Sequence, residues 1–289
     1  MIRLLMLVCL CSVTACAQDM SGNHHNAPAA ASPDSTVTQD WARQRLAKSP
    51  RHQEWVKIKN GTREVNSFVV YPENKNKATA VIVIHEIFGM SDWVQSLTDQ
   101  LAEAGYVAIA PDLLSGMGPN GGGTSSLTGN AVGQAIRDLP PDQITADLNA
   151  VADYISKVPA SNGKIVVTGY CWGGSQSFRY ATNNPNIKAA FVFYGSAPAS
   201  ADGTPDKAAL AKIKAPVYGF YAGNDARINA TLPKTTEAMT ELKKTFEPVT
   251  YEGAGHGFMR AGEAPDAKEA NKKARDEAWA RWKKLLASI

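Results

Sequence analysis

Three side chains suited to acyl transfer occur in this chain, each beside glycines and each just past an apolar run. Cys171 stands at the centre of Gly169-Tyr170-Cys171-Trp172-Gly173, after the run Lys164 to Thr168. Flanking glycines let a strand turn sharply into a helix and lift the middle side chain clear of the sheet, as a nucleophile elbow requires. The turn also sets the sulfur at a helix N-terminus, where aligned peptide dipoles favour a thiolate. A thiol needs a base, and the base needs an orienting acid. His85 and His256 are the histidines within the strand-and-helix core, and His256 lies in the Gly-rich Glu252-Gly253-Ala254-Gly255-His256-Gly257-Phe258. Asp225, in Ala222-Gly223-Asn224-Asp225, ends the strand expected over Pro216 to Tyr221, whereas Asp202 and Asp206 sit in the polar loop before it. Each residue taken alone also has a plain reading: an inert buried thiol, a satisfied loop histidine, a turn or cap aspartate.

A developing oxyanion needs two backbone N–H groups. The residue after the nucleophile, Trp172, supplies one, and Ile87 in Ile84-His85-Glu86-Ile87-Phe88-Gly89 is the candidate for the other. The His85-Glu86 pair has no second histidine at the spacing of a zinc protease, so neither metal nor cofactor is implied. Trp172, Phe88, Trp93, Tyr194 and Phe258 are candidates to line a substrate pocket.

The elements that must hold these residues alternate along the chain. A short helix is expected at Trp41 to Lys48, then a hairpin of Glu54 to Lys59 and Arg63 to Tyr71 around Asn60-Gly61. Ala80 to Ile84, Val107 to Ala110 and Lys164 to Thr168 read as buried strands, continued by Ala189 to Tyr194, Pro216 to Tyr221 and Val249 to Tyr251. Helices are expected at Trp93 to Ala104, Pro141 to Ser156, Gly174 to Thr182 and Thr235 to Lys244. A last one, about Ala267 to Leu286, carries Ala270, Ala274, Ala278, Trp282 and Leu285 on one stripe. The alternation implies a single α/β domain over residues 41–289, a mostly parallel sheet with helices on both faces and ligands bound beyond the strands' carboxyl ends. Ser115 to Gly129, with Gly116, Gly118, Gly121, Gly122 and Gly123, reads as a flexible surface loop at the rim. The chain order nucleophile, acid, histidine is that of the α/β-hydrolase fold.

Glu86-Ile87-Phe88-Gly89, Pro111-Asp112-Leu113, Gly169-Tyr170-Cys171-Trp172-Gly173-Gly174, Asp225 and Gly255-His256-Gly257-Phe258 together resemble dienelactone hydrolase, or carboxymethylenebutenolidase, from about Val56 onward. The resemblance implies a Cys171, Asp225, His256 triad without a cofactor. It also implies that Glu86 contacts the resting thiol and takes its proton when substrate arrives. Arginines grip the substrate carboxylate in that family; Arg260 matches one, and Arg137 is the only arginine in the region after Pro111-Asp112 where a second belongs.

Composition narrows the alternatives. With 44% hydrophobic and 20% charged residues the chain can build one sizeable core, and a formal net charge of +3, spread along it, argues against nucleic acid. Residues 1–19 follow an export signal: Arg3, then Leu4 to Leu10, too short to span a bilayer. Val13-Thr14-Ala15-Cys16 resembles a lipobox that would leave Cys16 lipidated and membrane-attached, while Ala15-Cys16-Ala17 suits ordinary cleavage, so the expected product is periplasmic, either lipid-anchored or free. Residues 20–40 read as a disordered tether, with His24 and His25 solvated in it. Cys9, Cys11 and Cys16 lie in the leader, so Cys171 is the body's lone thiol, without a disulfide partner or a resolving cysteine for redox work. The expected activity is hydrolysis of a small ester or lactone. The alternatives are a broad carboxylesterase or thioesterase, and a non-catalytic envelope lipoprotein that uses the fold as a binding surface. Oligomeric state is not legible in the sequence.

Overall fold

A computed structural model of the chain describes residues 39–289. The expected leader, tether, lipobox cysteine Cys16 and the pair His24 and His25 lie outside the described residues. Eight strands form one sheet: β1 (Gln53–Asn60), β2 (Arg63–Val70), β3 (Ala78–Ile84), β4 (Val107–Pro111), β5 (Ser161–Tyr170), β6 (Ala190–Phe193), β7 (Val217–Ala222) and β8 (Phe246–Tyr251). Their order across the sheet is β1-β2-β4-β3-β5-β6-β7-β8; β2 runs antiparallel to β1 and β4, and the remaining pairs are parallel.

Side chains alternate across the pleat, so neighbouring residues of one strand feed two different cores. On β3, Ala80, Ile82 and Ile84 join one apolar cluster and Val81 and Val83 the other. The first cluster is closed by α4 (Pro141–Lys157), through Ile144, Leu148, Val151 and Ile155, and by Phe178 and Ala181 of α5 (Trp172–Asn183). The second is closed by α1 (Asp40–Ala47), α2 (Asp92–Glu103) and the C-terminal helix (Glu269–Leu286), whose Ala274, Ala278 and Trp282 are buried. The buried stripe of that last helix runs on to Leu286, with Leu285 and Ala270 only half-buried, because 3.6 residues per turn brings position 286 over 282. No helix among the described residues is long and apolar enough to cross a membrane.

Four places depart from the sequence expectation. Residues 115–129 are not a free loop: they form two short 3-10 turns, and Asp112 accepts from both the N–H and the hydroxyl of Thr124 at 2.8 and 2.7 Å. The Thr124 hydroxyl oxygen also accepts from the Met90 N–H at 3.1 Å, which ties the segment to the turn after β3. A helix α3 (Asn130–Arg137) follows, and single helical turns occupy Ala226–Asn229 and Phe258–Ala261. Such pieces are too short to show a 3.6-residue period, and α3 contains Gly133.

The register of the parallel strands decides what meets at one edge. Ile84 pairs with Gly169, Tyr170 with Phe193, and Ala222 with Tyr251. The residues that follow each of these, His85 to Ile87, Cys171, Tyr194, Asp225 and His256, therefore leave the sheet at the same carboxyl edge.

Candidate active site

Cys171 takes φ 56° and ψ −116°, a left-handed conformation rare for a residue with a Cβ. Its strain is held by contacts on both sides: its N–H donates to Phe193 O at 3.1 Å, and its carbonyl accepts from the Ser175 N–H at 3.2 Å. The side chain is half-buried at the N-terminus of α5. Close approach explains the glycines. A Cβ on Gly169 would lie 1.9 Å from Gly173 O, and one on Gly173 would lie 2.4 Å from the carbonyl oxygens of both Ile84 and His85. The first turn of α5 is thus pressed against the end of β3, so Trp172 and the His85 to Ile87 segment are neighbours. Neither the Trp172 nor the Ile87 N–H donates to a backbone carbonyl in the described turns and caps.

His256 turns Nδ1 to Asp225 Oδ2 at 2.5 Å. Asp225 serves two functions expected as alternatives: its other oxygen accepts from the Ile228 N–H at 3.3 Å and caps the helical turn of residues 226–229. Asp202 and Asp206 hold a turn and a helix start instead, accepting from the N–H groups of Thr204 and Ala209. Burial works against a charge on His256, but the hydrogen bond it donates to the Asp225 carboxylate and its attraction to the Cys171 sulfur outweigh it and push the imidazole up to about 9. The Asp225 carboxyl is burdened by burial too, and the His256 hydrogen bond and charge carry it below the usual carboxylate range. His256 is therefore hydrogen-bonded to Asp225 and feels the Cys171 sulfur, with its imidazole 32% exposed.

Glu86 and Arg260 sit beneath these residues. Arg260 is not a solvated charge: only 8% exposed, it donates Nε–H to Glu86 Oε2 at 2.9 Å and stacks its guanidinium 5.1 Å over the Phe88 ring. Glu86 is thus paired with Arg260, a pairing that spacing did not foretell. Its other oxygen lies close to where a Cβ on Gly257 would stand, on the turn that carries His256.

Tyr194 is fully buried, also takes a positive φ of 42°, and packs its ring edge-on to His256 with centroids 4.9 Å apart. Its hydroxyl has no hydrogen-bond partner among the described residues. Burial raises its pKa well above the usual tyrosine value, helped by the charge of Glu86. Arg137, exposed at the end of α3, points its guanidinium towards Gly133, and the Ile87 side chain lies at the same spot, so it stands at the rim of the 85–89 turn. His85, which the sequence places with His256 in the strand-and-helix core, is fully buried and stacks on Trp172 with centroids 5.5 Å apart.

The chain is similar to known proteins of one family. The family model described as "Dienelactone hydrolase family" matches residues 65–289. Proteins called "Putative carboxymethylenebutenolidase" from Methylorubrum extorquens and Saccharolobus solfataricus are 31% and 30% identical to the chain. The first alignment covers 70% of this chain and 71% of the relative, the second 78% and 95%. The crystal structure of "Putative Dienelactone Hydrolase" from Klebsiella pneumoniae superposes with a TM-score of 0.71 at 27% identity, covering 83% of this chain and 99% of the other. A Pyrobaculum calidifontis esterase, 17% identical with a TM-score of 0.59, shares the fold over 88% of this chain and 92% of its own. With a parallel sheet helix-covered on both faces and a strained cysteine turn at its carboxyl edge, the chain belongs to the dienelactone hydrolase family and has its α/β-hydrolase fold.

Proposed function

We propose that the protein hydrolyses a small ester or lactone through a thioester at Cys171. The observation that carries this is the His256–Asp225 hydrogen bond at the carboxyl edge of the sheet, where the strained turn of Cys171 also ends. The thiol passes its proton to Glu86, and sulfur attacks the substrate carbonyl beside the protonated imidazole of His256. The N–H groups of Ile87 and Trp172 hold the resulting oxyanion. Collapse expels the alkoxide, which takes a proton from the His256 imidazolium and in a lactone remains tethered to the acyl group. Water, deprotonated by His256, then attacks the thioester and returns a carboxylate and the thiol. Asp225 keeps the imidazole in the tautomer that needs an acceptor at Nδ1.

A carboxylate-bearing substrate suits the charges. Its anion competes with Glu86 for the Arg260 guanidinium, which frees Glu86 to take the thiol proton as substrate arrives; Arg137 at the rim offers a second cation. Tyr194, expected among the pocket residues, is instead fully buried and backs the His256 imidazole from behind. The exported, periplasmic location read from the leader belongs to the same reading, with lipidation of Cys16 as its membrane-attached form.

The test is a thioester burst on activated esters and lactones, followed by intact-protein mass spectrometry. Wild type accumulates an adduct on Cys171, and Cys171→Ala loses both the adduct and at least about a thousand-fold in turnover. Hydrolysis by Cys171→Ala at the wild-type rate would refute the assignment, and a correctly folded wild type without activity on any ester or lactone would leave the fold as a binding surface.

A further inference from the structure

His85 takes no part in the proton relay proposed above, yet it is fully buried at the end of β3. Its Nδ1 lies 2.9 Å from the carbonyl oxygen of Glu86. A carbonyl only accepts, so Nδ1 carries the hydrogen and Nε2 is left as a bare acceptor, with no partner among the described residues. Burial lowers the ring's pKa against the opposing charge of Asp112 and the carbonyl bond, which keeps the imidazole neutral and fixes this tautomer. The Gly89 N–H donates to the same Glu86 oxygen at 3.1 Å.

A planar trans peptide sets its C=O and N–H on opposite sides. Two donors that hold the Glu86 oxygen therefore also fix where the Ile87 N–H points. If that peptide rotated by half a turn, the carbonyl would face the substrate oxygen and the hole would be lost. On its other side the His85 ring lies nearly parallel to the Trp172 indole, at 17° between planes, and its own carbonyl borders the space above Gly173. One side chain thus touches both segments that carry the oxyanion donors.

We infer that His85 is a positioning residue for acyl transfer: its Nδ1–H locks the Glu86-Ile87 peptide with the Ile87 N–H turned into the oxyanion hole, and its ring seats Trp172. The inference rests on Cys171 being the nucleophile.

The experiment compares two reactions of the same thiol. Acylation by p-nitrophenyl acetate develops an oxyanion, whereas alkylation by iodoacetamide displaces iodide at carbon and develops none. His85→Phe, which keeps a planar ring on Trp172 but removes the donor, is expected to slow acylation roughly 10- to 100-fold. Its alkylation stays within about two-fold of wild type, since thiolate reactivity is set elsewhere. His85→Gln, which retains an N–H within reach of the carbonyl, recovers most of the acylation rate. Acylation at the wild-type rate in His85→Phe, or a parallel loss of both reactions, would overturn the inference. Cys171→Ala separates the two readings: alkylation and acylation both vanish if the nucleophile is right, whatever His85 does, and surviving hydrolysis would remove the ground under both.

Discussion

At the scale of single residues, the pair of Glu86 and Arg260 governs charge in the site. Both are nearly buried, and removing one member of such a pair costs far more than the pair itself contributes. Arg260→Met is expected to lower stability by about 3–5 kcal/mol, read from urea unfolding, and adding Glu86→Gln should return much of it. The same single variant should raise KM for carboxylate-bearing esters well above its effect on neutral ones; equal effects would remove Arg260 from substrate binding. His256 gives a second prediction. With the folded pKa raised to about 9 from an unfolded value near 6.5, its contribution to stability is complete below pH ~6.5 and is lost as pH rises towards 9. Asp225, with its folded pKa lowered, contributes above its unfolded value and loses that contribution as pH falls through the folded one. Asp225→Asn should flatten the melting temperature across both windows and bring the His256 imidazole titration, followed by NMR, down from about 9; an unmoved titration would mean that Asp225 does not set it. The residue types behind these effects were legible beforehand, because Cys, His and Asp each stood in a glycine-rich or turn-forming stretch past an apolar run. The partner of Arg260 was not, since Glu86 lies 174 positions away.

Between elements, the contact that matters is the one where the first turn of α5 meets the end of β3. Gly173 permits it, and Gly173→Ala would force a methyl to within 2.4 Å of two carbonyl oxygens. Backbone cannot yield as a flexible side chain does, so α5 must withdraw from the 85–87 segment and carry the Trp172 N–H with it. The expected outcome is a loss of stability of about 1–3 kcal/mol and a fall in kcat of roughly 100-fold with little change in KM. A fall in KM binding alone, with kcat intact, would show that the two segments do not form one hole. The long strands and helices were visible from their periodicity, and their ends fell within a few residues of expectation. The single turns at 226–229 and 258–261 and the helix α3 were not, because four to eight residues hold too few repeats to outweigh glycines and caps. Those short pieces nonetheless aim Asp225, Arg260 and Arg137.

For the molecule as a whole, the two apolar clusters among the described residues run from Ala42 to Leu286, with one on each face of the sheet. A chain begun at residue 39 is therefore expected to keep its unfolding midpoint and its kcat/KM on soluble esters; a loss of more than about 1 kcal/mol would show that earlier residues complete the core. The alternation of apolar runs with amphipathic stretches determined a helix-covered parallel sheet, and the order of Cys171, Asp225 and His256 determined which chemistry its carboxyl edge could support. Both follow from local pattern: side-chain period is set by backbone geometry, and chemical capacity by residue type. Only the tertiary structure decided that Glu86 faces Arg260, that Tyr194 turns an unpartnered hydroxyl inward, and that His85 holds the Glu86 carbonyl while stacking on Trp172. The reason is physical. Ion pairs and ring contacts depend on strand register and on how closely glycine lets two backbones approach, and those quantities exist only once the sheet is assembled.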